Sequence, residues 1–509
     1  MIRNIHIGII GKNRGWEQIL TQIGVSWSRM HSAAAAKVQS QSCIIACREL
    51  DRGELSAIDS YIRRGGSVVD TLGQLISQQT INRHLRTVYP GGDSSLFSHI
   101  EEIVINHRVA VHPLSDQIGG LAWLDPTPKR SLAFLSLPVH LLADPQPLIH
   151  TQFRSSELPA VAERTAARSS GPYIEACLTV LKKLHSKSGV PFVHKWWMPD
   201  ADRLLATFRI DSDYGTREAV SVLGETITEF DISATWFLHT EAHENWLEHF
   251  KKFSGHEIAL HCNRHTEFKT SSQYTADIHA GLQLLRRHGY NPEGYASPYG
   301  YWGPEISAAL SHFNFRYSSE FGYDYDSLPS RPRSSLTMQL PVHPISIGSF
   351  RRFKFKHGMI ENYFDELMRL KQLQHQPFHL YHHPGDGYEN ILRTLFGKLK
   401  HESVRWMSYS EWASWWNNRK SGSFNAAYDT ELKTIRVKKK DCLPMAFHHS
   451  ENSFLISEKP TINLEQGRFT PYIEPELVKL VNQRQNGDLL SQLKMKKDRF
   501  MTYLWRNRV

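Results

Sequence analysis

LLATFRIDSD, residues Leu204 to Asp213, decides how the rest of the chain is read. An apolar stretch, Leu204 to Ile210, runs directly into two carboxylates, Asp211 and Asp213, spaced two residues apart. A near-continuous apolar run suits a parallel strand covered on both faces, and in barrels of such strands functional groups collect just past the C-terminal ends. In extended backbone the two carboxylates share one side. Further strand candidates follow at Ala234 to Leu238, Glu257 to Leu260, Gly294 to Ala296, Phe315 to Ser318, Gln339 to Pro341 and Phe378 to His382. Helix-like stretches such as Arg217 to Phe230 and Ser272 to His288 separate them. Seven strand-and-helix units predict an α/β fold, a distorted (β/α)7 barrel, over residues 204–420.

Upstream, Ile5 to Ile10, Cys43 to Cys47 and Ser67 to Asp70 read as strands between helix-like Trp16 to Ile23 and Glu54 to Arg64, the latter stopped by Gly65-Gly66. An α/β parallel-sheet domain is expected over 1–142. Its stretch ELSAIDSYIRRGGSVV, Glu54 to Val69, resembles glutamine-amidotransferase-like domains, but no Gly-x-Cys-x-Gly elbow accompanies it, so a non-catalytic role is expected. Residues 143–203, with Pro, Ser and Arg and then the aromatic segment Lys195 to Pro199, read as a connector. After Ser421 come β-rich segments (Phe424 to Tyr428, Leu432 to Val437, Ser453 to Ile456) and a basic tail, Leu490 to Val509. A small β-rich module with a basic helical tail is expected over 421–509.

Hydrophobic residues at 40% and charged residues at 22% are the proportions of a folded globular chain. The net charge of +9 is spread along the sequence without a nucleic-acid-binding motif, so no nucleic-acid partner is expected. No apolar run is long enough to span a bilayer, and Met1 to Gly11 lacks a secretory cleavage site. Contact of the basic tail with a membrane surface stays open. The five cysteines are sparse and odd in number, which suits free thiols and a cytoplasmic location.

Two further stretches fall at strand ends. In GHEIALHCNRH, Gly255 to His265, His261 and His265 are four apart; one helical turn would put both imidazoles on one face, a spacing suited to Zn²⁺. Cys262 reads as a buried thiol rather than a ligand. In FHLYHHP, Phe378 to Pro384, alternation sends His382 and His383 to opposite faces, so one of them enters the barrel mouth. Glu320 and Asp324, in Ser319 to Tyr325, follow another strand and could orient a catalytic histidine.

Taken in order, these stretches resemble the NodB-homology polysaccharide deacetylases, carbohydrate esterase family 4. Phe208 to Asp213 is similar to an Asp-x-Asp variant of the family's first motif, Gly255 to His265 to its Gly-His-Glu-Ile and His-x-x-x-His motif, Tyr295 to Gly300 (YASPYG) to its Arg-Pro-Pro-Tyr-Gly motif, and His383 to its late histidine. The resemblance implies Asp213, His261 and His265 as metal ligands, Asp211 as general base, His383 as general acid and the Tyr299 N–H as an oxyanion donor. It implies a divalent metal, most often Zn²⁺, with Co²⁺, Ni²⁺ or Mn²⁺ also compatible with the ligands, and removal of an N-acetyl or other N-acyl group from an amino sugar. Two rivals follow from the same resemblance: hydrolysis of another linear or cyclic amide, and a dead site kept for carbohydrate binding. The second arises because Ala296 stands where the family has the arginine that steadies the base; Arg209 or another cation is a candidate substitute. Whether His382 or His383 is the acid stays open.

Overall fold

The computed structural model describes residues 1–471 except 91–95, 144, 154–160, 354, 403, 440, 442 and 451–452, so the basic tail and Cys442 lie outside the described residues. The chain divides into two compact units.

The first unit gathers Met1–Ala143, Gly171–Ala201 and, among the described residues, Asn417 to Pro471. Its main sheet runs in the order Trp27–Met30, Ile7–Ile10, Cys43–Ala46, Ser67–Asp70, Ser131–Leu135, all parallel, with Ala122–Leu124 antiparallel at the edge. Helices Arg14–Ile23 and Arg52–Arg63 start where their caps dictate: Asn13 accepts from the Trp16 N–H, and Asp51 with Glu54 forms a reciprocal capping box. The segments expected as a separate C-terminal β-rich module share sheets with distant parts of the chain. Ile2–Ile5 pairs antiparallel with Phe424–Asp429, and Phe192–Lys195 pairs with Met445–Ser450. The Arg419 guanidinium, fully buried, donates to the carbonyls of Thr21, Gln22, Ile23, Lys195 and Trp196. It thereby satisfies carbonyls at the end of helix Arg14–Ile23 that the helix cannot pair itself.

The second unit is the barrel. Its strands are β1 (Leu205–Asp211), β2 (Ala234–His239), β3 (Glu257–Cys262), β4 (Gly294–Tyr295), β5 (Tyr317–Ser318), β6 (Met338–Gln339), β7 (Phe378–His382) and β8 (Arg405–Trp406). They form one parallel sheet in the order β6-β5-β4-β3-β2-β1-β7, with β8 also on β1. All seven expected strands occur, and β8 is an eighth of only two residues. β6 and β7 do not pair as strands; the sheet curls so that beyond β6 the His343 N–H donates to the His379 carbonyl at 3.3 Å. The result is the distorted, incompletely closed barrel expected.

Strand β1 is buried throughout. Phe208 packs edge-on against Phe396 of helix Glu389–His401, while Thr207, Arg209 and Asp211 alternate onto the opposite face, where Thr207 bonds His379 on β7 at 2.8 Å. The barrel interior is therefore polar along β1 and grows more charged toward its mouth. Part of the expected connector belongs to this unit: Leu148–Phe153 and Val161–Ala166 form an antiparallel hairpin, and the Ala166 N–H donates to the Phe321 carbonyl at 2.9 Å. Phe153, Phe321, Tyr325 and Val342 pack together beneath it.

Candidate active site

Past β1 the backbone leaves the extended conformation: the Ser212 N–H bonds the Phe237 carbonyl, and Asp213 takes a φ of 38°. This left-handed turn, which aspartate tolerates better than most residues, aims the carboxylate at the end of β3. The expected helical turn between His261 and His265 does not form. His261 is the penultimate residue of β3 and His265 lies in an irregular loop. Asp277, in the second turn of helix Ser271–Arg287, holds that loop by accepting from the N–H groups of Asn263 and Arg264, both at 3.0 Å.

The two imidazoles converge all the same. Asp213 Oδ1 lies 3.2 Å from His261 Nε2 and 3.3 Å from His265 Nε2, yet this buried oxygen has no hydrogen-bond partner. His261 Nδ1 donates to the Ala296 carbonyl at 2.8 Å, so the neutral ring presents a lone pair at Nε2. Acceptors facing one another across such gaps repel unless a cation lies between them. Ligand atoms of a tetrahedral zinc site, at ~2.0–2.2 Å from the ion, lie about 3.3–3.5 Å apart, and the observed separations fit. Among the described residues this trio is the one group whose ligand atoms all fall within 4.8 Å of each other.

Asp211 points into the barrel and is gripped from below. Arg209 Nε donates to Oδ1 and Nη2 to Oδ2, each at 2.7 Å, while Nη1 donates to the Ser319 carbonyl at 2.6 Å. The guanidinium is fully buried between the rings of Phe237 and Tyr381, 5.1 and 5.3 Å from their centroids. Burial would raise the Asp211 carboxyl, but Arg209 outweighs it and holds the group below its usual range. The cation missing at Ala296 is thus supplied from β1 itself, and a sequence cannot show which way the Arg209 side chain turns.

Of the paired histidines, His383 faces the site, with Nε2 3.6 Å from Asp213 Oδ2 and 2.9 Å from the Tyr381 hydroxyl. Its Nδ1–H donates to Asp386 at 2.7 Å. Burial pulls its basicity down, but Asp213 and the bond to Asp386 push it up to about 9, so the ring is cationic at neutral pH. His382 is buried on the other face, where burial takes it down to about 4. Tyr299 adopts a φ of 58° between Pro298 and Gly300, and its ring meets His265 edge-on at 4.8 Å. Arg164, from the hairpin, lies 6.0 Å from the Tyr299 ring and is ion-paired with Glu267.

Glu320 and Asp324 do not orient a histidine. Glu320 accepts the Ser297 N–H at 3.2 Å, beneath the Tyr299 loop. Asp324 accepts from the N–H of Ser170 at 2.9 Å and from its hydroxyl. The orienting carboxylate is Asp386, whose signal in the sequence is the tight His-Pro-Gly-Asp turn that returns it to His383. Burial raises Asp324 to about 6 against the usual carboxylate value near 4. Between about pH 4 and 6 the unfolded chain therefore loses this proton first, and stability falls as pH rises through that window. Asp324→Asn should remove the effect, gaining on wild type by up to about 3 kcal/mol between pH 4 and pH 7 in parallel urea melts; a pH-independent difference would refute it.

The family model for polysaccharide deacetylase matches residues 201–318, a span from β1 to β5 that includes Asp211, Asp213, His261, His265 and Tyr299 and stops short of His383. The barrel is thus of the polysaccharide deacetylase type, a class of hydrolases acting on carbon–nitrogen bonds. Among solved structures, a candidate polysaccharide deacetylase from Mycobacterium smegmatis is 17% identical, with 44% of this chain and 94% of that one covered and a TM-score of 0.39. A peptidoglycan deacetylase from Bacillus subtilis is 12% identical over 44% and 96%, with a TM-score of 0.32. A carbohydrate esterase family 4 pseudoenzyme from Bacillus anthracis is 14% identical over 42% and 66%, with a TM-score of 0.32. A search of the curated proteins finds no match.

Proposed function

We propose that the barrel is a metal-dependent deacetylase that hydrolyses the N-acetyl, or a related N-acyl, group of an amino sugar in a polysaccharide, oligosaccharide or glycolipid precursor. The observation that carries this reading is the unpartnered Asp213 Oδ1 facing two imidazole nitrogens, with a locked carboxylate and a cationic histidine beside it. Asp213, His261 and His265 would hold a divalent ion, zinc by ligand type, with coordination positions to spare. When bound, the ion supplies Lewis acidity to the amide carbonyl and acidifies water.

The chain's own groups do the rest. Asp211, kept ionised by Arg209, takes a proton from the attacking water. His383, cationic and fixed by Asp386, returns a proton to the amine nitrogen as its bond to the acyl carbon breaks. The Tyr299 N–H, in its left-handed turn, donates to the oxyanion. Arg209 also weakens the rival reading of a dead carbohydrate-binding site, because that reading rested on the loss of the arginine at Ala296.

The test is acetate release from N-acetylated mono- and oligosaccharides, with a cyclic ureide as the competing substrate class. Zinc-loaded protein should release acetate from a sugar, lose the activity to a chelator and regain it with added Zn²⁺. Zinc-loaded protein that releases nothing from any sugar, or cleaves only the ureide, would overturn the proposal.

A further inference from the structure

The turn that returns Asp386 to His383 closes against a second segment, the short 3₁₀ stretch Ile347–Phe353 that follows β6. Gly348 of that stretch is buried, and a Cβ built on it would stand 1.9 Å from Asp386 Cγ and Oδ2 and 2.3 Å from Oδ1. Carbon atoms in contact sit ~3.5–4.0 Å from their neighbours, so no side chain fits between them. The backbone makes no such demand, because Gly348 is not among the positions of positive φ. What needs the missing Cβ is the neighbouring carboxylate.

The two sides of this contact are held unequally. Ser346 and Ser349 bracket the glycine turn reciprocally: the Ser346 N–H donates to the Ser349 hydroxyl at 3.2 Å, and the Ser349 N–H to the Ser346 hydroxyl at 3.2 Å and carbonyl at 3.0 Å. Ile345, Ile347 and Phe350 are buried around it, and Phe350 meets Tyr363 edge-on at 5.1 Å and Phe364 at 5.9 Å. The glycine side is therefore rigid. Asp386 is the side free to move: its side chain is 24% exposed and is tied to His383 Nδ1 through one oxygen, Oδ2, at 2.7 Å. Pushed by a methyl group, the carboxylate would swing into another rotamer and release that bond. His383 would keep the Tyr381 hydroxyl at Nε2, 2.9 Å away, but lose the partner that fixes its tautomer and ring orientation.

We propose that Gly348 is a positioning residue for the acid: its missing side chain is the space in which the Asp386 carboxylate stands to hold His383. The part this plays in turnover rests on the deacetylase reading, whereas the contact itself does not.

Zinc-loaded wild type, Gly348→Ala, Asp386→Ala and the double variant would be compared in acetate release from N-acetylated sugars, with kcat and KM separated. A general acid contributes ~10²–10⁴-fold, so Gly348→Ala should lose at least about 10-fold in kcat while KM and zinc content stay unchanged. Asp386→Ala removes all three atoms that the new methyl would strike. In that background Gly348→Ala should cost less than about 2-fold in kcat, because residues acting through one contact are not additive. Should the methyl lower the melting temperature of the single variant, the double variant should regain it. A readout independent of turnover comes from ¹⁵N-histidine-labelled protein: the His383 Nδ1 proton, assigned by its loss in His383→Gln, should be present in wild type and absent in Gly348→Ala. Wild-type kcat in Gly348→Ala, an equal further loss on top of Asp386→Ala, a destabilisation that the double variant keeps, or an unchanged Nδ1 signal would each overturn the proposal. If wild type releases acetate from no sugar, the deacetylase reading fails, and the labelled spectra alone decide whether Gly348 places Asp386.

Discussion

Asp213→Asn should leave the protein folded, without its metal and without activity. Asparagine accepts the left-handed φ of 38° at this position nearly as well as aspartate, so the turn after β1 survives. The amide is a poor ligand, and it cannot supply the anionic oxygen that faces both histidines. Metal analysis should show about one ion per chain for wild type and none for the variant. Acetate release should fall on the order of 10³-fold or more, since a Lewis acid supplies several kcal/mol of transition-state stabilisation. Melting temperatures without added metal should agree within a few degrees, which separates loss of the ion from loss of the fold. A variant that kept one ion per chain would show that the metal sits elsewhere.

Arg209→Met should be costly twice over. The substitution leaves Asp211 buried and unpaired and strips the Ser319 carbonyl of a donor. Removing one partner of a buried ion pair costs about 3–5 kcal/mol. Because Arg209 is what holds Asp211 below its usual range, its loss should also move the acid limb of the kcat/KM profile to higher pH and lower the plateau on the order of 100-fold or more. The double variant Arg209→Met with Asp211→Asn removes both charges, so it should regain most of the stability and none of the activity. Urea melts and pH profiles of the three proteins decide the matter. If the single variant were as stable as the double, or its acid limb stayed in place, Arg209 would not be the group that fixes Asp211.

Much of the barrel can be read in the sequence because its longer strands are largely apolar runs, and β1, β3 and β7 each carry a site residue at or beside their C-terminal end; such runs need no partner to be seen. β8 was invisible because Arg405-Trp406 is too short to show a period. The hairpin Leu148–Phe153 with Val161–Ala166 was hidden for another reason: LIHTQF and VAERTA mix polar and apolar residues without clean alternation, since both strands are only partly covered. At the site, the carboxylates and histidines were found through residue type and order. Which way they turn was not, because direction comes from tertiary packing: Phe237 and Tyr381 enclose Arg209, Asp277 shapes the loop that carries His265, and the turn after His383 brings Asp386 back to it. The helical turn expected for His261 and His265 gave way to a strand end and a loop because Asp277 satisfies the loop's N–H groups in place of helical bonds.

The pairing of Ile2–Ile5 with Phe424–Asp429 also governs the order in which the molecule can be built. A chain leaving the ribosome N-terminus first presents its opening strand more than four hundred residues before the partner exists. The stretch Asp202–Trp416, by contrast, is continuous and holds every strand of the barrel sheet. Domains generally fold as units while synthesis proceeds, and distant pairings come late. The barrel can therefore mature first, while the edge at Ile2–Ile5 waits unpaired, and a truncation after Trp416 would spare the barrel sheet but strand that edge in a form open to association with other chains.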